Sequence, residues 1–179
     1  MRALRMAFKM ISDGYKPLVT FIVVNKRHHT RAFPVNQQDV DRKGNAVPGT
    51  VIDSAIVDSH RIDFFLYGHS AIEGTSVPGH YTVLYNENKM SIEDVQRLTY
   101  YLGYTGARCT RSVALVTPAL YANLAAERAR CYLTVPDDVS TVGSFESSSS
   151  NYDFRANSSS TTFNFVALHE NLKNCMYFI

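Results

Sequence analysis

The sequence LVTFIVV at Leu18–Val24 is followed, after one asparagine, by KRHHTR at Lys26–Arg31. The first stretch is rich in β-branched and aromatic residues, which predicts a buried strand. A strand inside a core holds the residues that follow it in a fixed place. The cations and imidazoles of the second stretch would therefore form a fixed positive cluster, which favours a bound anion and above all the backbone of a nucleic acid.

The same basic run has a simpler interpretation. Short basic runs are also typical of solvated loops and localisation signals, and His28 and His29 could be surface residues without a ligand. The run by itself leaves a phosphate site and a solvated loop about equally supported. Because the net charge is only +2, any affinity for nucleic acid would have to come from where the cations lie.

The composition indicates a folded intracellular protein. With 179 residues, 45% of them hydrophobic, the chain suits one domain, or part of a larger one, with a real core. Its three cysteines lack metal spacing, which is typical of reduced thiols in a cytosolic or nuclear protein and disfavours zinc. No segment approaches the roughly 20 apolar residues that cross a bilayer. We expect a cytoplasmic location, leave a nuclear one open, and expect no membrane partner.

Three segments are predicted to be helical. Met1–Ile11 is basic and amphipathic, which fits a targeting presequence but favours a packing helix with Leu4, Ala7, Phe8 and Ile11 on one face. Ser91 and Asp94 form a capping-box pattern at the start of a second helix. Its predicted buried stripe comprises Ile92, Val95, Leu98 and Leu102. Thr117 is the predicted cap of a third helix, with Pro118 at its first position and its end near Arg130.

The remaining segments are predicted to be strands and loops. Strands are expected at Leu18–Val24, Val51–Val57, Ile62–Tyr67 and Tyr81–Tyr85, and a surface loop at Asn36–Gly49. The main domain is predicted to span 1–139. Residues 140–162 are rich in serine and asparagine and are expected to form a disordered insertion. Residues 163–179 are predicted to dock back on the domain, because an apolar terminus is seldom left in solvent.

Candidate site residues occur in several groups. The cations cluster as Lys26, Arg27 and Arg31; Arg108 and Arg111; and Arg128 and Arg130. Hydroxyls that could bond phosphate oxygens are those of Thr75, Ser76, Thr105 and Thr110. No GxSxG, GxxxxGK[ST] or HExxH motif occurs, and no carboxylate pair has two-metal spacing. Asp63, within a strand, could be a metal ligand, and His69 and His80 could be acid–base groups; structural roles are the alternative for all three.

Taken in order, the motifs resemble the C-terminal part of the PIWI domain of eukaryotic Argonaute proteins. The similarity covers nearly the whole chain except the serine-rich segment. The segments that carry it are Thr20–Arg31, Pro48–Asp53, His69–Ser76, Tyr104–Val113, Tyr121–Arg130 and Met176–Phe178. The resemblance implies an α/β, RNase H-like PIWI fold, C-terminal portion only, with a mixed sheet flanked by helices. It also implies binding of a small guide RNA through its backbone, pairing with a complementary target RNA, and association with silencing-complex proteins.

The resemblance assigns RNA-binding roles residue by residue. Lys26, Arg27, His29 and Arg31 match a guide-contacting cluster after the strand. Groove positions near the seed backbone are matched by His69, Thr75, Ser76, Arg108 and Thr110. Arg128 matches an arginine that reaches towards the 5′-phosphate of the guide.

Departures from the family pattern disfavour target cutting. Cutting members use three acids, expected upstream of Met1, and a histidine whose position is occupied here by Asn123. An asparagine oxygen can meet a metal, but the amide cannot perform the same proton chemistry. Val77, Leu120 and Gly106 each replace a residue that contacts the guide.

We therefore expect no enzyme activity, no catalytic residue, no metal site and no cofactor in this chain, with Mg²⁺ needed only if a full-length form cuts. The expected function is guide-RNA binding in gene silencing without cleavage. One alternative is the C-terminal half of a slicer endonuclease. The other is a non-functional fragment whose half-sheet exposes an edge strand prone to aggregation.

Overall fold

The computed structural model describes residues 1–134, 164–165 and 168–179. These residues form two compact units, Met1–Leu120 and Tyr121–Ile179. The serine-rich segment predicted at 140–162 lies outside the described residues, so its predicted disorder stays a prediction. Among the described residues, no helix is long and apolar enough to span a membrane.

The first unit is built on a four-stranded sheet. Its strands are β1 (Thr20–Asn25), β2 (Val51–Ile52), β3 (Asp63–Leu66) and β4 (Gly79–Asn86), in the order β1-β4-β3-β2. The α/β character was predicted, but the described pairings in this sheet are all antiparallel where a mixed sheet was expected. Parallel neighbours need a crossover connection, usually a helix, and no α-helix lies between β1 and β4 along the chain.

One face of the sheet forms the hydrophobic core. Phe64 and Tyr81 stack with their ring centroids 5.3 Å apart, and the Tyr81 hydroxyl accepts a hydrogen bond from the Val116 amide. This bond satisfies a polar group in the core, and burial raises the pKa of Tyr81 to about 12. The buried cluster comprises Phe64, Leu66, Tyr81, Val83, Val95, Leu115 and Val116.

The helix α2 (Ile92–Leu102) covers that face through Val95. The predicted capping box is present: the Ser91 hydroxyl accepts from the Asp94 amide, and the Asp94 carboxylate accepts from the Ser91 amide. The predicted buried stripe was wrong at Leu98, which is 42% exposed. Thr99 is buried instead, because its hydroxyl donates to the Val95 carbonyl and needs no contact with water.

The other two helices differ in detail from their predictions. The helix α1 (Arg2–Ile11) forms as predicted, but none of its residues is buried in the described structure. Phe8 instead packs edge-on against Tyr15. The helix α3 is Thr117–Ala129. Thr117 was predicted as a cap acceptor; its hydroxyl donates to the Leu102 carbonyl, so it ties the helix start to the end of α2.

Two predictions for the segment before β3 were wrong. The strand expected to reach Val57 pairs only at Val51 and Ile52. Beyond them the chain turns, with Ala55 at a φ of 63°, because no partner strand continues there. The loop predicted to lie at the surface before β2 buries Asn45 and Ala46, which are 4% and 2% exposed.

The second unit contains most of α3, a 3₁₀ turn at Arg130–Tyr132, the strand pair β5 (Leu133–Thr134) and β6 (Asn164–Phe165), and a 3₁₀ turn at Glu170–Leu172. The C-terminal aromatic residues are packed within this unit. Phe178 contacts Tyr121 and Tyr177 contacts Tyr132, both edge-on. Docking of residues 163–179 on the predicted domain 1–139 stays a prediction.

Ser91→Ala should lower the free energy of unfolding by about 1 kcal/mol, because the first turn of α2 loses its side-chain cap. Chemical denaturation followed by circular dichroism would measure this. Ser59→Ala, at an exposed turn position, is the matched control and should change stability by far less. Equal stability of both variants would show that the cap contributes nothing.

Candidate nucleic-acid interface

The strand register brings the segment after β1 and the segment between β3 and β4 to one edge of the sheet. Asn25, at the end of β1, lies opposite His80, near the start of β4. Leu66, at the end of β3, lies opposite Gly79. The residues that follow β1 and β3 therefore lie beside the residues that precede β4.

At this edge the protein forms an open cleft of about 400 Å³. Four residues predicted to bind RNA line it: Lys26 after β1, His69 after β3, and Thr75 and Ser76 before β4. The remaining lining residues are Ala71, Ile72, Glu73, Val77, Pro78, Ala114 and Leu115. An ammonium group, an imidazole and two hydroxyl residues around one cleft suit the oxygens of a phosphodiester.

The polar groups of the cleft are held differently. Lys26 and Thr75 are exposed, whereas Ser76 is 4% exposed. The Ser76 amide donates to the Asn45 side-chain oxygen at 2.9 Å. Its hydroxyl has no hydrogen-bond partner in the described part of the chain. Thr75 and Lys26 can therefore meet a ligand directly, while Ser76 lies deeper in the wall.

His69 is half-buried, and its electrostatic state follows from its surroundings. Burial, and then the positive charge of Arg111, lower the pKa of His69 below its ordinary value of 6.5. The imidazole is therefore mostly neutral near pH 7 and can donate or accept a hydrogen bond. Of the residues that line the cleft, Lys26 is basic and Glu73 is acidic, and the positive charge of Arg111 acts on His69 from nearby.

The other predicted contacts lie outside the cleft. Arg27, His29 and Arg31 are exposed beyond β1, and the Arg31 guanidinium donates to the Thr30 carbonyl. Arg108 and Thr110 are exposed on the segment between α2 and α3. Arg128 belongs to the second unit. Roles of these six residues in RNA binding stay predictions.

His28 has a role that the sequence patterns missed. Its Nε2 lies 2.8 Å from the Pro78 carbonyl oxygen, which can only accept, so Nε2 carries the proton. Its ring packs edge-on against Phe65. His28 thus fastens the basic stretch to the segment before β4, while His29 is exposed. No signal in the dipeptide itself separates the two histidines.

Asp63 is part of a buried network on the opposite face of the sheet from the core. Its carboxylate accepts from the Thr82 hydroxyl, from the Asp58 amide at 3.1 Å and from His80 Nε2 at 2.8 Å. Burial raises the pKa of Asp63, but the hydrogen bonds and the charge of His80 outweigh it, so the pKa lies below 3.8. Asp63, suggested as a metal ligand, and His80, suggested as an acid–base group, are therefore hydrogen-bonded to each other.

The residues described here do not fit a metal site by themselves. They contain no group of three or more His, Cys, Asp or Glu side chains that could hold a metal ion. Asn123, which the resemblance predicts to occupy the position of the family histidine, is exposed on α3.

Comparison with known proteins identifies the family. The Piwi domain model matches residues 1–134. Protein argonaute 12 of Oryza sativa subsp. japonica is 46% identical over 179 residues, which cover 99% of this chain and 16% of that protein. The chain therefore belongs to the Argonaute family and carries a Piwi domain, and it spans about a sixth of the length of this relative.

Two solved structures share the fold. The C-terminal lobe of a budding yeast Argonaute matches with a TM-score of 0.65 and 35% identity, over 73% of this chain and 28% of that one. Kluyveromyces polysporus Argonaute with a guide RNA matches with a TM-score of 0.64 and 35% identity, over 73% of this chain and 16% of that one. The RNase H-like Piwi fold predicted from the motifs is confirmed.

Asp63→Asn should lower the free energy of unfolding of the first unit by about 2 kcal/mol at neutral pH. The new side-chain NH₂ group replaces one carboxylate oxygen, so at least one of the groups that donate to Asp63 loses its acceptor. The folded-state pKa of Asp63 lies below its unfolded value, so the ionised carboxylate stabilises above pH 3.8. That contribution is lost as the pH falls towards the folded-state pKa. Urea denaturation at several pH values would measure the difference in free energy of unfolding between the variant and the unsubstituted protein, which should become smaller in acid. Asp13→Asn, at an exposed turn, is the control and should have the same free energy of unfolding as the unsubstituted protein at each pH.

Proposed function

We propose that this Argonaute-family chain binds a single-stranded guide RNA by its sugar-phosphate backbone. The observation that carries the proposal is the cleft at the sheet edge, where Lys26 after β1 meets His69 and Thr75 of the segment between β3 and β4. Because the fold fixes the relative positions of these groups, they can contact a phosphate in one defined arrangement, whereas a basic run in a loop cannot. Such contacts position a strand without reading its bases.

Family membership supports an RNA ligand. The solved Kluyveromyces polysporus Argonaute was crystallised with a guide RNA and shares the fold at 35% identity. Transferred to this chain, the guide would lie along the basic stretch Lys26–Arg31 and pair with a complementary target. The proposed setting is RNA-mediated silencing in the cytoplasm together with other silencing proteins.

The proposed function excludes target cutting by this chain. Asn123 replaces the family histidine, and an amide side chain neither accepts nor releases a proton at neutral pH. The second candidate is a slicer endonuclease, which membership of an RNase H-like family favours. It would draw its acids from segments expected upstream.

Lys26→Ala should weaken binding to single-stranded RNA of any sequence about equally, because the lost contact is to phosphate. The slope of log K against log salt concentration should fall by about 0.7. Fluorescence anisotropy at several salt concentrations would measure both. Lys9→Ala, on the exposed side of α1, is the matched control and should leave the slope unchanged.

A sequence-selective loss on Lys26→Ala would contradict backbone contact. If the soluble, folded chain binds no RNA at all, the proposed function is wrong and the chain is a non-functional fragment.

Asn123→His tests the two candidate functions in a protein that joins this chain to the upstream part of a cleaving Argonaute. With asparagine retained we expect no cleavage of a complementary target in the presence of Mg²⁺. The histidine variant should gain cleavage because it restores a group that can transfer protons. Asn123→Gln is the control. Strong cleavage with asparagine retained would favour the slicer.

A further inference from the structure

We infer that a second cleft, lined by Arg42, Lys43 and Arg111, binds the continuation of the RNA backbone beyond the Lys26 cleft. The inference rests on the proposed function and extends it to residues that the sequence patterns did not place in the RNA site. The ligand class is a single-stranded nucleic acid long enough to pass from one cleft into the other.

The second cleft has a volume of about 550 Å³ and adjoins the first. Both clefts are lined by Ala71 and Ile72. The segment between β3 and β4 therefore separates them, with Lys26 on one side and the two arginines on the other. Arg111 also lies close enough to His69 to lower the pKa of that imidazole, which connects the charges of the two clefts.

A tight turn holds Arg42 and Lys43 in place. The Asp41 carboxylate accepts from the amides of Lys43 and Asn45 at 2.8 Å and 2.9 Å. The Asp41 amide in turn donates to the Asn45 carbonyl at 2.7 Å, and Gly44 takes a φ of 77°. Arg42 and Lys43 lie at the exposed corner of this turn, so their backbone is fixed although their side chains reach solvent.

The turn is also bound to the segment that separates the clefts. The Asn45 side chain donates to the Gly74 carbonyl at 3.1 Å and accepts from the Ser76 amide at 2.9 Å. The Lys43 ammonium donates to the Ala71 carbonyl at 3.3 Å. Because Asn45 is 4% exposed, the two bonds of its side chain are shielded from water. The turn and the wall between the clefts therefore form one connected piece.

The charge of the second cleft is positive. Asp41 is its one acidic lining residue. The pKa of Asp41 is lowered chiefly by the Asn45 and Lys43 amides, with the Ser70 hydroxyl also donating to its carboxylate. Its oxygens are thus occupied within the turn. Arg42 and Arg111 form no ion pair with another described residue.

An RNA backbone fits this arrangement better than an acidic peptide. The second cleft is positive and the first carries the Lys26 ammonium, so the evenly spaced phosphates of a nucleic acid can reach cations in both, and the exposed Thr75 hydroxyl suits a phosphate oxygen. An acidic peptide would have no comparable reason to occupy both clefts.

The test compares an Arg42→Gln/Arg111→Gln variant with the unsubstituted 179-residue chain on oligouridylates of increasing length. Long RNAs should bind the variant more weakly, with a salt slope lower by about 1.4 because two phosphate contacts are lost. RNAs short enough to occupy one cleft should bind both proteins equally. Arg61→Gln/Arg97→Gln is the control, because it removes two exposed arginines from elsewhere in the same unit. It should leave the binding of both short and long RNAs unchanged.

The outcomes separate this inference from the proposed function. If Lys26→Ala weakens every length while Arg42→Gln/Arg111→Gln weakens none, the second cleft is not an RNA site but the proposed function stands. A loss that is equal for short and long RNAs would also overturn the inference. So would displacement of long RNA by polyglutamate from the unsubstituted chain but not from the double variant. If the unsubstituted chain binds no RNA of any length, both proposals fail.

Discussion

The antiparallel register between β1 and β4 is the constraint on which the site depends. With Asn25 opposite His80, the basic stretch after β1 must run past the segment that precedes β4. A shift of one residue would turn Ile22 and Val24 away from the core. The core-facing residues Ile22 and Val24 therefore hold Lys26 in place.

Buried polar side chains then position the loops around that edge. Asn45 bonds to Gly74 and Ser76, and Asp63 holds Asp58, His80 and Thr82 in place. A buried amide or carboxylate is costly unless its bonds are complete. Such groups therefore favour one loop arrangement over its alternatives, and their hydrogen bonds fix the backbone around both clefts.

Features that depend on residues close together in the sequence were predicted correctly, whereas features that depend on distant residues were not. The start of α2 was predicted from the Ser91 and Asp94 pair because a capping box is local. Leu98 and Val57 were mispredicted, because the exposure of a helix face and the length of a strand depend on distant partners. Of the predicted RNA-binding residues, Lys26, His69, Thr75 and Ser76 are brought to one cleft. The grouping of these four came from the family motifs, since their spacing in sequence does not imply contact.

The sequence by itself determined the family and the main strands and helices. Those features depend on residue identity and on patterns within a few residues. Only the tertiary structure decided that His28 is an anchor, that Asp63 belongs to a hydrogen-bond network, and that Arg42 and Arg111 share a cleft. These facts depend on residues far apart in the chain, such as His28 and Pro78 at 50 positions and Asp63 and His80 at 17, which strand register and loop packing bring together.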